Sequence, residues 1–293
     1  MKANQLSAII LAAGFSRRMG RFKPLLPLGP TTVVARVVGL YRSIGIEKIC
    51  VVAGHKADEL QAALDPMGVR CILNRAYAQG MFSSLTAGVA ALPSDVRGFF
   101  VHPVDVPLVR PSTLAALISA FAAGSDQVCH PCFDGRRGHP PLVSADLAPA
   151  ILAWPGDGGL RVFWDLGGAV MQEVPVADEA ILLDLETEED YRRLTERSAS
   201  DDLPTAEECR ALMTQVAQVP VAVWRHCQAT ARVAAALAAA VNRSGALLDM
   251  ELVRSAALVH DIAKAQAGHA AAGARQLAAL GFPRVAAVVR VHM

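Results

Sequence analysis

The stretch Leu6–Lys23 reads LSAIILAAGFSRRMGRFK and joins an apolar run to a small-residue turn and a basic cluster. The apolar run predicts a buried strand. A glycine turn after a strand lets backbone N–H groups approach a phosphate without a Cβ in the way. Ser16 adds a hydrogen-bond donor, and Arg17, Arg18 and Lys23 add positive charge. The stretch therefore predicts a phosphate-binding loop, with a solvated basic loop as the simpler alternative.

The sequence beyond this stretch alternates between strand-like and helix-like patterns. KICVVAG, VRCILN and GFFVHPVDVP predict strands, and TTVVARVVGLYRSIG, SSLTAGVAAL and PSTLAALISAFAAG predict helices. Strands joined by crossover helices form a parallel sheet covered on both faces, so we predict an α/β fold with a doubly wound, mostly parallel sheet. Gly14, Gly54 and Asp105 fall at predicted carboxyl ends of strands, where such sheets bind ligands.

A polar stretch, ERSASDDLPTAEECR, separates this pattern from an alanine-rich one. It predicts a linker that leads into a helix-capping sequence. Segments such as HCQATARVAAALAAAVN and MELVRSAALVHDIAK have helical periodicity without strand alternation. We therefore predict an α/β domain over residues 1–198 and a small all-α domain over residues 199–293. The final VVRVHM is predicted to lie in mid-helix without a stop signal, so the second domain is expected to be incomplete at its C-terminus.

The composition excludes several classes of protein. Of the 293 residues, 53% are hydrophobic, which is ample for a core. No apolar run reaches the about 20 residues that a membrane span requires. The start, MKANQLSAII, passes into Gly14 and a basic cluster without a processing site. A formal net charge of +1 gives no global field for nucleic acid or a membrane. We expect a cytoplasmic protein with neither of these partners, whose anion binding is local.

The six cysteines are scattered and do not resemble a secreted disulfide framework. Cys129 and Cys132 form a C-x-x-C in CHPC. A zinc site would usually need a second ligand pair, and a thioredoxin-like motif should open a helix. The pair lies between an apolar, strand-like stretch and a glycine-arginine loop, so we interpret it as two cysteines without a metal or redox role.

Taken whole, LAAGFSRRMGRFK resembles the L-A-A-G-x-S-x-R-M-G-x-x-K signature of nucleotidyltransferases that activate sugar phosphates, alcohol phosphates and molybdopterin. NRAYAQGMFSSL resembles the N-x-x-x-x-x-G-M-x-x-S-[LI] segment of molybdenum cofactor cytidylyltransferases, the MobA-like branch. FFVHPVDVPLV, RRGHPPLVS, GDGGLRVF and LLDLETEEDYRRL resemble later family elements in the family's order. The resemblance covers about residues 5–197 and implies a nucleotide-diphospho-sugar transferase-like variant of the Rossmann fold.

The activity that the resemblance implies is attack by a substrate phosphate on the α-phosphorus of a nucleotide, with release of pyrophosphate. Positioning, cations and Mg²⁺ should provide most of the catalysis. Arg17, Lys23 and Asp105 are the implied catalytic residues. The implied nucleotide-binding residues are Leu11, Ala12, Ala13, Gly14, Ser16, Arg18, Met19, Gly20, Asn74, Gly80, Ser83 and Ser84.

By the same resemblance, Asp105 and a carboxylate of LLDLETEED bind Mg²⁺. The family commonly has Asp at the position of Glu186, whose longer side chain leaves Asp184 as a rival ligand. Taken alone, a single Asp after a strand is usually a turn or N-cap residue. The resemblance places the phosphate substrate at His139, Pro140 and Arg161, with loop packing as the alternative role for His139.

The Ala12-Ala13-Gly14 form resembles the CTP- or UTP-using relatives, since guanylyl-transferring relatives usually have a second glycine that makes room for a purine. The implied activity is CTP:molybdopterin cytidylyltransferase, with a molybdoenzyme or its maturation factor as a further partner. Three alternatives stay open. The acceptor could be a sugar or polyol phosphate, the main activity could reside in the second domain, or the protein could carry the cofactor without catalysis.

In the second domain, His226 in WRHCQAT and the pair His260-Asp261 in VHDIAK, which we predict to lie on a helix, resemble the H…HD pattern of HD-domain phosphohydrolases. Imidazole and carboxylate groups suit a divalent metal ion that activates water, with core packing of the histidines as the alternative. Lys264, His269 and His292 extend the resemblance to the HD-GYP-like branch. The closing Asp of that pattern would lie beyond His292, so weak or absent metal binding is expected.

Overall fold

The computed structural model describes residues 2–124, 127–156, 159–166 and 169–292, without the side chains of residues 160, 161, 165 and 166. The chain forms two compact units. The first comprises residues 2–132, 136–174 and 180–199, and the second comprises residues 133–135, 175–179 and 200–292, in each case within the described ranges.

The strands of the chain are β1 (Leu6–Ala12), β2 (Pro27–Leu28), β3 (Thr31–Thr32), β4 (Ile49–Ala53), β5 (Arg70–Leu73), β6 (Gly98–Pro103), β7 (Val128–Phe133), β8 (Arg136–Arg137), β9 (Leu142–Ser144) and β10 (Met171–Pro175). The helices up to residue 199 are α1 (Val33–Ser43), α2 (Ala57–Leu64), α3 (Met81–Ala90), α4 (Pro111–Ala123), α5 (Ala148–Ala153), α6 (Gly159–Leu166) and α7 (Glu188–Ala199).

The main sheet has the order β10-β7-β9-β6-β1-β4-β5, with β8 paired to β7. Strands β6, β1, β4 and β5 run parallel to one another, and β9 is antiparallel to both β6 and β7. In register, Ile10 of β1 lies between Val51 of β4 and His102 of β6. The predicted fold class, a doubly wound and mostly parallel sheet, is confirmed.

Helices cover both faces of this sheet. On one face, Phe82 and Leu85 of α3 belong to the same buried cluster as Ile9 and Val101 of the sheet. Neighbouring strand residues point to the opposite face, and there the Tyr41 ring of α1 lies 5.4 Å from the ring of Phe100. Because both faces are buried, β1 is a continuous apolar run and not an alternating one.

Cys129 and Cys132 both lie on β7 and not between a strand and a loop. Their spacing of three places them on opposite faces of the sheet. Their sulfur atoms accordingly have different neighbours, Gln172 for Cys129 and Glu173 for Cys132. Both thiols are free and buried.

The second unit is helical throughout its described residues 200–292. Its helices are α8 (Ala206–Ala211), α9 (Val221–Arg243), α10 (Met250–Val259), α11 (His269–Ala279) and α12 (Pro283–Val289), with a π-helical turn at Leu212–Val216 after α8. The predicted capping sequence is present, because Thr205 and Glu208 form a capping box at the start of α8. Among the described residues, no helix combines the length and apolarity needed to cross a membrane.

Two predictions about this unit are wrong in detail. The pair His260-Asp261 does not lie on a helix, because α10 ends at Val259 and a series of turns follows. In those turns the N–H of Ile262 donates to the carbonyl of Val259, a tighter i to i+3 bond than an α-helix makes. The final helix also stops at Val289, so VVRVHM is not in mid-helix throughout.

Candidate functional site

A cleft of about 420 Å³ lies at the carboxyl ends of β1 and β6. It is lined by Leu11, Ala12, Ala13, Gly14, Phe15, Ser16, Arg17, Lys23, Pro24, Tyr77, Ala78, Gly80, Met81, Ser84, Pro103, Val104 and Asp105. The loop after β1, the start of α3 and the turn after β6 therefore meet at one place. This is the edge at which parallel sheets bind their ligands.

The loop after β1 is held in shape by its own backbone and by one hydroxyl group. Ser16 has a left-handed backbone, with φ of 53°. Its carbonyl accepts from the N–H of Gly20 at 3.0 Å, and its Oγ accepts from the N–H of Lys23 at 3.3 Å. Arg17 lies over the Phe15 ring, with its Cζ 4.5 Å from the ring centre. The loop thus presents Arg17 and Lys23 to the cleft.

Lys23 and Asp105 face each other at the end of the cleft. The Lys23 Nζ atom lies 3.7 Å from the Asp105 carboxylate, and the lysine side chain is only 14% exposed. Burial raises the pKa of Asp105, while Lys23 opposes this shift. The site therefore holds a carboxylate that is poorly solvated and has one cationic neighbour.

Two further carboxylates lie beside Asp105. The N–H of Leu185 donates to the Asp105 carbonyl at 2.8 Å, which places Asp184 and Glu186 next to the turn after β6. Partial burial, and then the charges of Asp105 and Glu186, raise the pKa of Asp184. Glu186 forms an ion pair with the exposed Arg18. Three carboxylates that disfavour one another's charge are a donor set suited to a divalent cation.

The opposite side of the cleft is narrow and aromatic. A Cβ built on Gly54 would lie 2.6 Å from the Tyr77 side chain and 2.9 Å from the Ala13 methyl group, so only glycine allows this approach. The Tyr77 ring lies 5.0 Å from the Phe15 ring, and Phe15 lies 5.6 Å from His55. Ala13 and the Phe15 and Tyr77 rings therefore line this part of the cleft.

Asn74 and Ser83 lie behind the cleft and tie the loop after β5 to α3. Asn74 is 5% exposed, and its side-chain amide donates to the hydroxyl oxygens of Ser83 and Ser84 at 2.9 and 3.0 Å. Its Oδ1 atom accepts from the N–H of Ala76. Gly80, with φ of 106°, precedes α3, so the helix begins at the cleft. Free N–H groups at a helix start are suited to phosphate oxygens.

The predicted substrate loop packs closely on the chain near Ile181. A Cβ on Gly138 would lie 2.5 Å from the Ile181 carbonyl oxygen, which also accepts from the N–H of His139 at 3.0 Å. Burial lowers the pKa of His139, with Asp105 opposing the shift. Its Nδ1 atom is buried and has no hydrogen-bond partner in the described part of the chain. Pro140 is buried beside it, and the side chain of Arg161 lies outside the described residues.

Ten of the site residues predicted from the sequence line the cleft, and the other predicted residues do not. The ten are Leu11, Ala12, Ala13, Gly14, Ser16, Arg17, Lys23, Gly80, Ser84 and Asp105. Arg18 and Gly20 are exposed outside the cleft, Met19 is buried, and Asn74 and Ser83 support the cleft from behind. Sequence reasoning missed Phe15 and Tyr77, which line the cleft, because single aromatic residues between the main strands and helices carry no distinctive signal of a site.

In the second unit, the structure brings His226, His260 and Asp261 together. One carboxylate oxygen of Asp261 lies 3.9 Å from His226 Nε2 and 3.7 Å from His260 Nε2. Asp261 is almost fully buried, whereas His226 is exposed. The helix α9 supplies His226, and the turn after α10 supplies the other two residues.

The second oxygen of Asp261 has its own histidine neighbours. His269 Nε2 and His292 Nε2 lie 3.5 and 3.4 Å from it, and both nitrogens are buried without a hydrogen-bond partner in the described chain. Burial alone would raise the pKa of Asp261, but Lys264 and His260 hold it below its usual value. Among the described residues, the groups of three potential metal ligands within 4.8 Å of one another both contain Asp261.

In two of these histidine rings, the Nδ1 atom is bound to a backbone carbonyl group. His260 Nδ1 lies 2.8 Å from the Ala257 carbonyl, and His292 Nδ1 lies 2.7 Å from the Val289 carbonyl. A carbonyl only accepts, so each Nδ1 carries a proton and donates to it, and each Nε2 faces Asp261. A backbone bond at Nδ1 fixes the ring so that Nε2 is the nitrogen available to a metal ion.

Two family models match the chain. The MobA-like NTP transferase domain matches residues 8–172, and the HD domain matches residues 223–293. The first match contains the loop after β1 and Asp105, and the second contains the histidine cluster.

Curated relatives match the first unit. Nicotine blue oxidoreductase of Paenarthrobacter nicotinovorans is 30% identical over 64% of this chain and 96% of its own length. Molybdenum cofactor cytidylyltransferase of Escherichia coli (strain K12) is 28% identical over 66% of this chain and 96% of its own length. A probable molybdenum cofactor guanylyltransferase of Mycobacterium avium (strain 104) is 32% identical over 67% of this chain and 98% of its own length.

One similar protein of known structure was determined with a divalent metal ion. Rv0371C of Mycobacterium tuberculosis H37Rv, determined in complex with manganese, matches with a TM-score of 0.56 and 28% identity over 66% of this chain and 98% of its own. The motifs, the cleft and the matched family model agree on one kind of enzyme, a nucleotidyltransferase. The chain therefore belongs to the MobA-like NTP transferase family, and an HD domain follows the transferase domain in the same polypeptide.

Proposed function

We propose that this enzyme transfers CMP from CTP to the phosphate of molybdopterin, with release of pyrophosphate and with Mg²⁺ as cofactor. The observation that carries the proposal is the pairing of Lys23 with Asp105 across the cleft formed by the LAAG loop. The same cleft thus offers a cation for the nucleotide phosphates and a carboxylate for a metal ion. The product would pass to a molybdoenzyme or its maturation factor in the cytoplasm.

Different residues of the cleft would bind the two substrates and stabilise the reacting phosphates. The backbone of the loop after β1 and the start of α3 would hold the triphosphate through N–H groups. Arg17 and Lys23 would offset the charge that develops on the leaving pyrophosphate. His139 and Pro140 would contact the acceptor, since the unpartnered Nδ1 of His139 is free to bond a phosphate oxygen or hydroxyl. Arg161 is assigned to the same acceptor by resemblance.

The acidic residues fit a divalent cation. Asp105 would bind it together with Glu186 or, as the rival ligand, Asp184. Burial and the charge of Glu186 raise the pKa of both aspartates, a cost that a bound cation would relieve. Within the described residues these carboxylates do not form a group of three ligand atoms within 4.8 Å. When bound, Mg²⁺ would neutralise charge on the reacting phosphates. Freeing Glu186 for the metal requires Arg18 to leave its ion pair.

The choice of CTP rests on the size of the base site. The Ala13 methyl group and the Tyr77 ring meet over Gly54, which leaves less room than a glycine at position 13 would. A pyrimidine needs less space than a purine. The relatives include one named as a cytidylyltransferase and one named as a guanylyltransferase, so the comparisons leave both nucleotides open.

Pyrophosphate release with each of CTP, UTP, GTP and ATP, in the presence and absence of molybdopterin, tests the proposal. We expect release that requires molybdopterin and Mg²⁺ and is fastest with CTP. Release with a sugar or polyol phosphate in place of molybdopterin would favour the alternative acceptor. Binding of molybdopterin without any release would favour a cofactor carrier.

We propose metal-dependent phosphoester hydrolysis as the activity of the HD domain. The observation that favours it is the pair of ligand groups on the two oxygens of Asp261, with histidine Nε2 atoms facing it. This set fits divalent metal ions, because imidazole nitrogens and a carboxylate are common ligands of such ions. Such an ion would supply an activated water.

Titration with Mn²⁺, followed by a generic phosphodiester such as bis(p-nitrophenyl) phosphate, tests this second proposal. We expect weak Mn²⁺ binding that is lost in Asp261→Asn, and slow hydrolysis that depends on the metal. Equal Mn²⁺ binding by the wild type and by Asp261→Asn would contradict the assignment of this cluster.

A further inference from the structure

His102 is the last residue but one of β6 and is fully buried. Its Nε2 atom lies 2.9 Å from the carbonyl oxygen of Val106, and its Nδ1 atom lies 2.8 Å from the hydroxyl group of Tyr41. The ring therefore spans the turn that carries Asp105, from the strand before it to the residue after it. The cleft does not include His102.

The hydrogen bonds fix the protonation of this ring. A carbonyl oxygen can only accept, so Nε2 carries the proton and donates to Val106. Burial lowers the pKa of His102 to about 4, so the ring is neutral near pH 7 and its Nδ1 has a lone pair. The Tyr41 hydroxyl group must then donate to Nδ1. Tyr41 is itself fully buried on α1 and orients the ring from the opposite side.

Backbone hydrogen bonds also hold the turn after β6, including one from the N–H of Val104 to the Leu11 carbonyl at 3.0 Å. The N–H of Val106 donates to the Pro103 carbonyl, which closes a four-residue turn with Asp105 at its third position. The carbonyl of Asp105 accepts from the N–H of Leu185. The orientation of this turn therefore decides both where the Asp105 carboxylate points and where the segment with the other carboxylates lies.

From this geometry we infer that His102 is a positioning residue, which orients the Asp105 turn for a divalent cation through its Nε2–H bond to Val106. The inference rests on the proposed function only in taking Asp105 as a metal-binding carboxylate. It assigns His102 no contact with substrate. Groups that hold a metal ligand in place commonly change metal affinity or activity by about 10- to 100-fold when removed.

A pair of matched variants separates this role from simple packing. In His102→Gln the side-chain amide nitrogen can take the place of Nε2 and donate to Val106. In His102→Asn the amide reaches only the position of Nδ1, so the bond to Tyr41 can remain while the bond to Val106 is lost. Ser7→Ala is the control for stability, since it removes a buried hydroxyl bond, to the Lys48 carbonyl, away from the turn.

The measured quantity is the Mn²⁺ affinity of the full chain. Mn²⁺ binding that remains in Asp105→Asn is attributed to the HD domain and is subtracted from the binding of each variant. We expect about 10-fold weaker binding in His102→Asn, and binding within about threefold of wild type in His102→Gln and Ser7→Ala. Equal affinity in the Asn and Gln variants would overturn the inference. The titration needs no turnover, so absence of pyrophosphate release in the wild type would count against the proposed function and not against this role.

A measurement on the wild-type chain covers the case in which the variants do not fold. The ¹⁵N shifts of the His102 ring report its tautomer, and we expect a neutral ring protonated at Nε2. A ring protonated at Nδ1 would overturn the inference, since such a ring could not donate to Val106.

Discussion

At the scale of single residues, the fold holds the Asp105 carboxylate in an unfavourable environment. Burial raises its pKa, and Lys23 compensates only in part. A poorly solvated charge of this kind lowers the stability of the metal-free protein and becomes favourable when a cation binds. The sequence predicted the position of Asp105, but it could not predict this environment, which depends on segments distant in the chain.

Asp105→Asn should reduce pyrophosphate release by about 10³-fold, because the variant loses charge at the metal site. The same change should leave the melting temperature of the metal-free protein equal or higher. Asp95→Asn is the control, since Asp95 precedes the same strand and forms an exposed ion pair with Lys48. Wild-type turnover in Asp105→Asn would remove this residue from the mechanism.

The stability difference between the wild type and Asp105→Asn should depend on pH. Above the raised pKa of Asp105, the wild type carries a partly buried charge that the variant lacks. As the pH falls through that pKa, the wild-type carboxyl group binds a proton in the folded state before it does so in the unfolded state. The advantage of the variant should then shrink. Thermal unfolding without metal at pH 7.5 and at successively lower pH checks this, and a difference that grows toward acid pH would contradict it.

Ala13→Gly should weaken the preference for CTP over GTP by about 10-fold, because the methyl group against Gly54 and Tyr77 restricts the base site. The expected change is a rise in kcat/KM for GTP with little change for CTP, which serves as the internal reference. An unchanged ratio would show that other contacts select the base.

At the scale of elements, the central strands β1 and β4 could be predicted because burial on both faces makes each of them a mostly apolar run. The antiparallel direction of β9 could not be predicted, since strand direction depends on chain connections and not on local pattern. The end of α10 at Val259 was also missed, because VHDIAK has no glycine or proline at that point. There the chain turns tightly and brings Asp261 among the histidines.

Asn74 links two elements, and its loss should act on both stability and binding. Asn74→Ala leaves the Ala76 N–H without its acceptor and removes the bonds to Ser83 and Ser84. We expect a loss of about 1–3 kcal/mol in the free energy of unfolding and a higher KM for CTP.

Thr86→Val is the matched control for Asn74→Ala, because it removes a hydroxyl bond to Phe82 within α3 and leaves the loop intact. Denaturant unfolding and steady-state kinetics on both variants check the prediction. The same rise in KM in both variants would show that α3 as a whole, and not the loop, sets nucleotide affinity.

At the scale of the whole molecule, two sites with different ligand chemistry occur in one chain. The cleft contains Asp105 and the cations Arg17 and Lys23 at a sheet edge, whereas Asp261 of the HD domain has four histidine neighbours. The motifs in the sequence predicted both kinds of site. They did not predict that both oxygens of Asp261 have histidine neighbours, because the separation of His269 and His292 in sequence carries no information on distance.

The two sites should respond separately to substitution. Asp261→Asn should abolish metal binding by the HD cluster while pyrophosphate release stays within about threefold of wild type. Asp105→Asn should strongly reduce pyrophosphate release and leave metal binding by the HD cluster unchanged. Assays of both activities in the two single variants and the double variant check this. A loss of transfer in Asp261→Asn comparable to that in Asp105→Asn would contradict separate function.

The central claim is the transfer of a nucleotide to a phosphate, and the most direct test follows the label of [α-³²P]CTP. Incubation of the full chain with molybdopterin and Mg²⁺ should move the label into a molybdopterin conjugate, with one pyrophosphate released for each label transferred. The same reaction with Asp105→Asn should show at most about 10⁻³ of this transfer. Label that stays in CTP or appears only as free CMP in the wild-type reaction, or faster transfer from labelled GTP, would contradict the account.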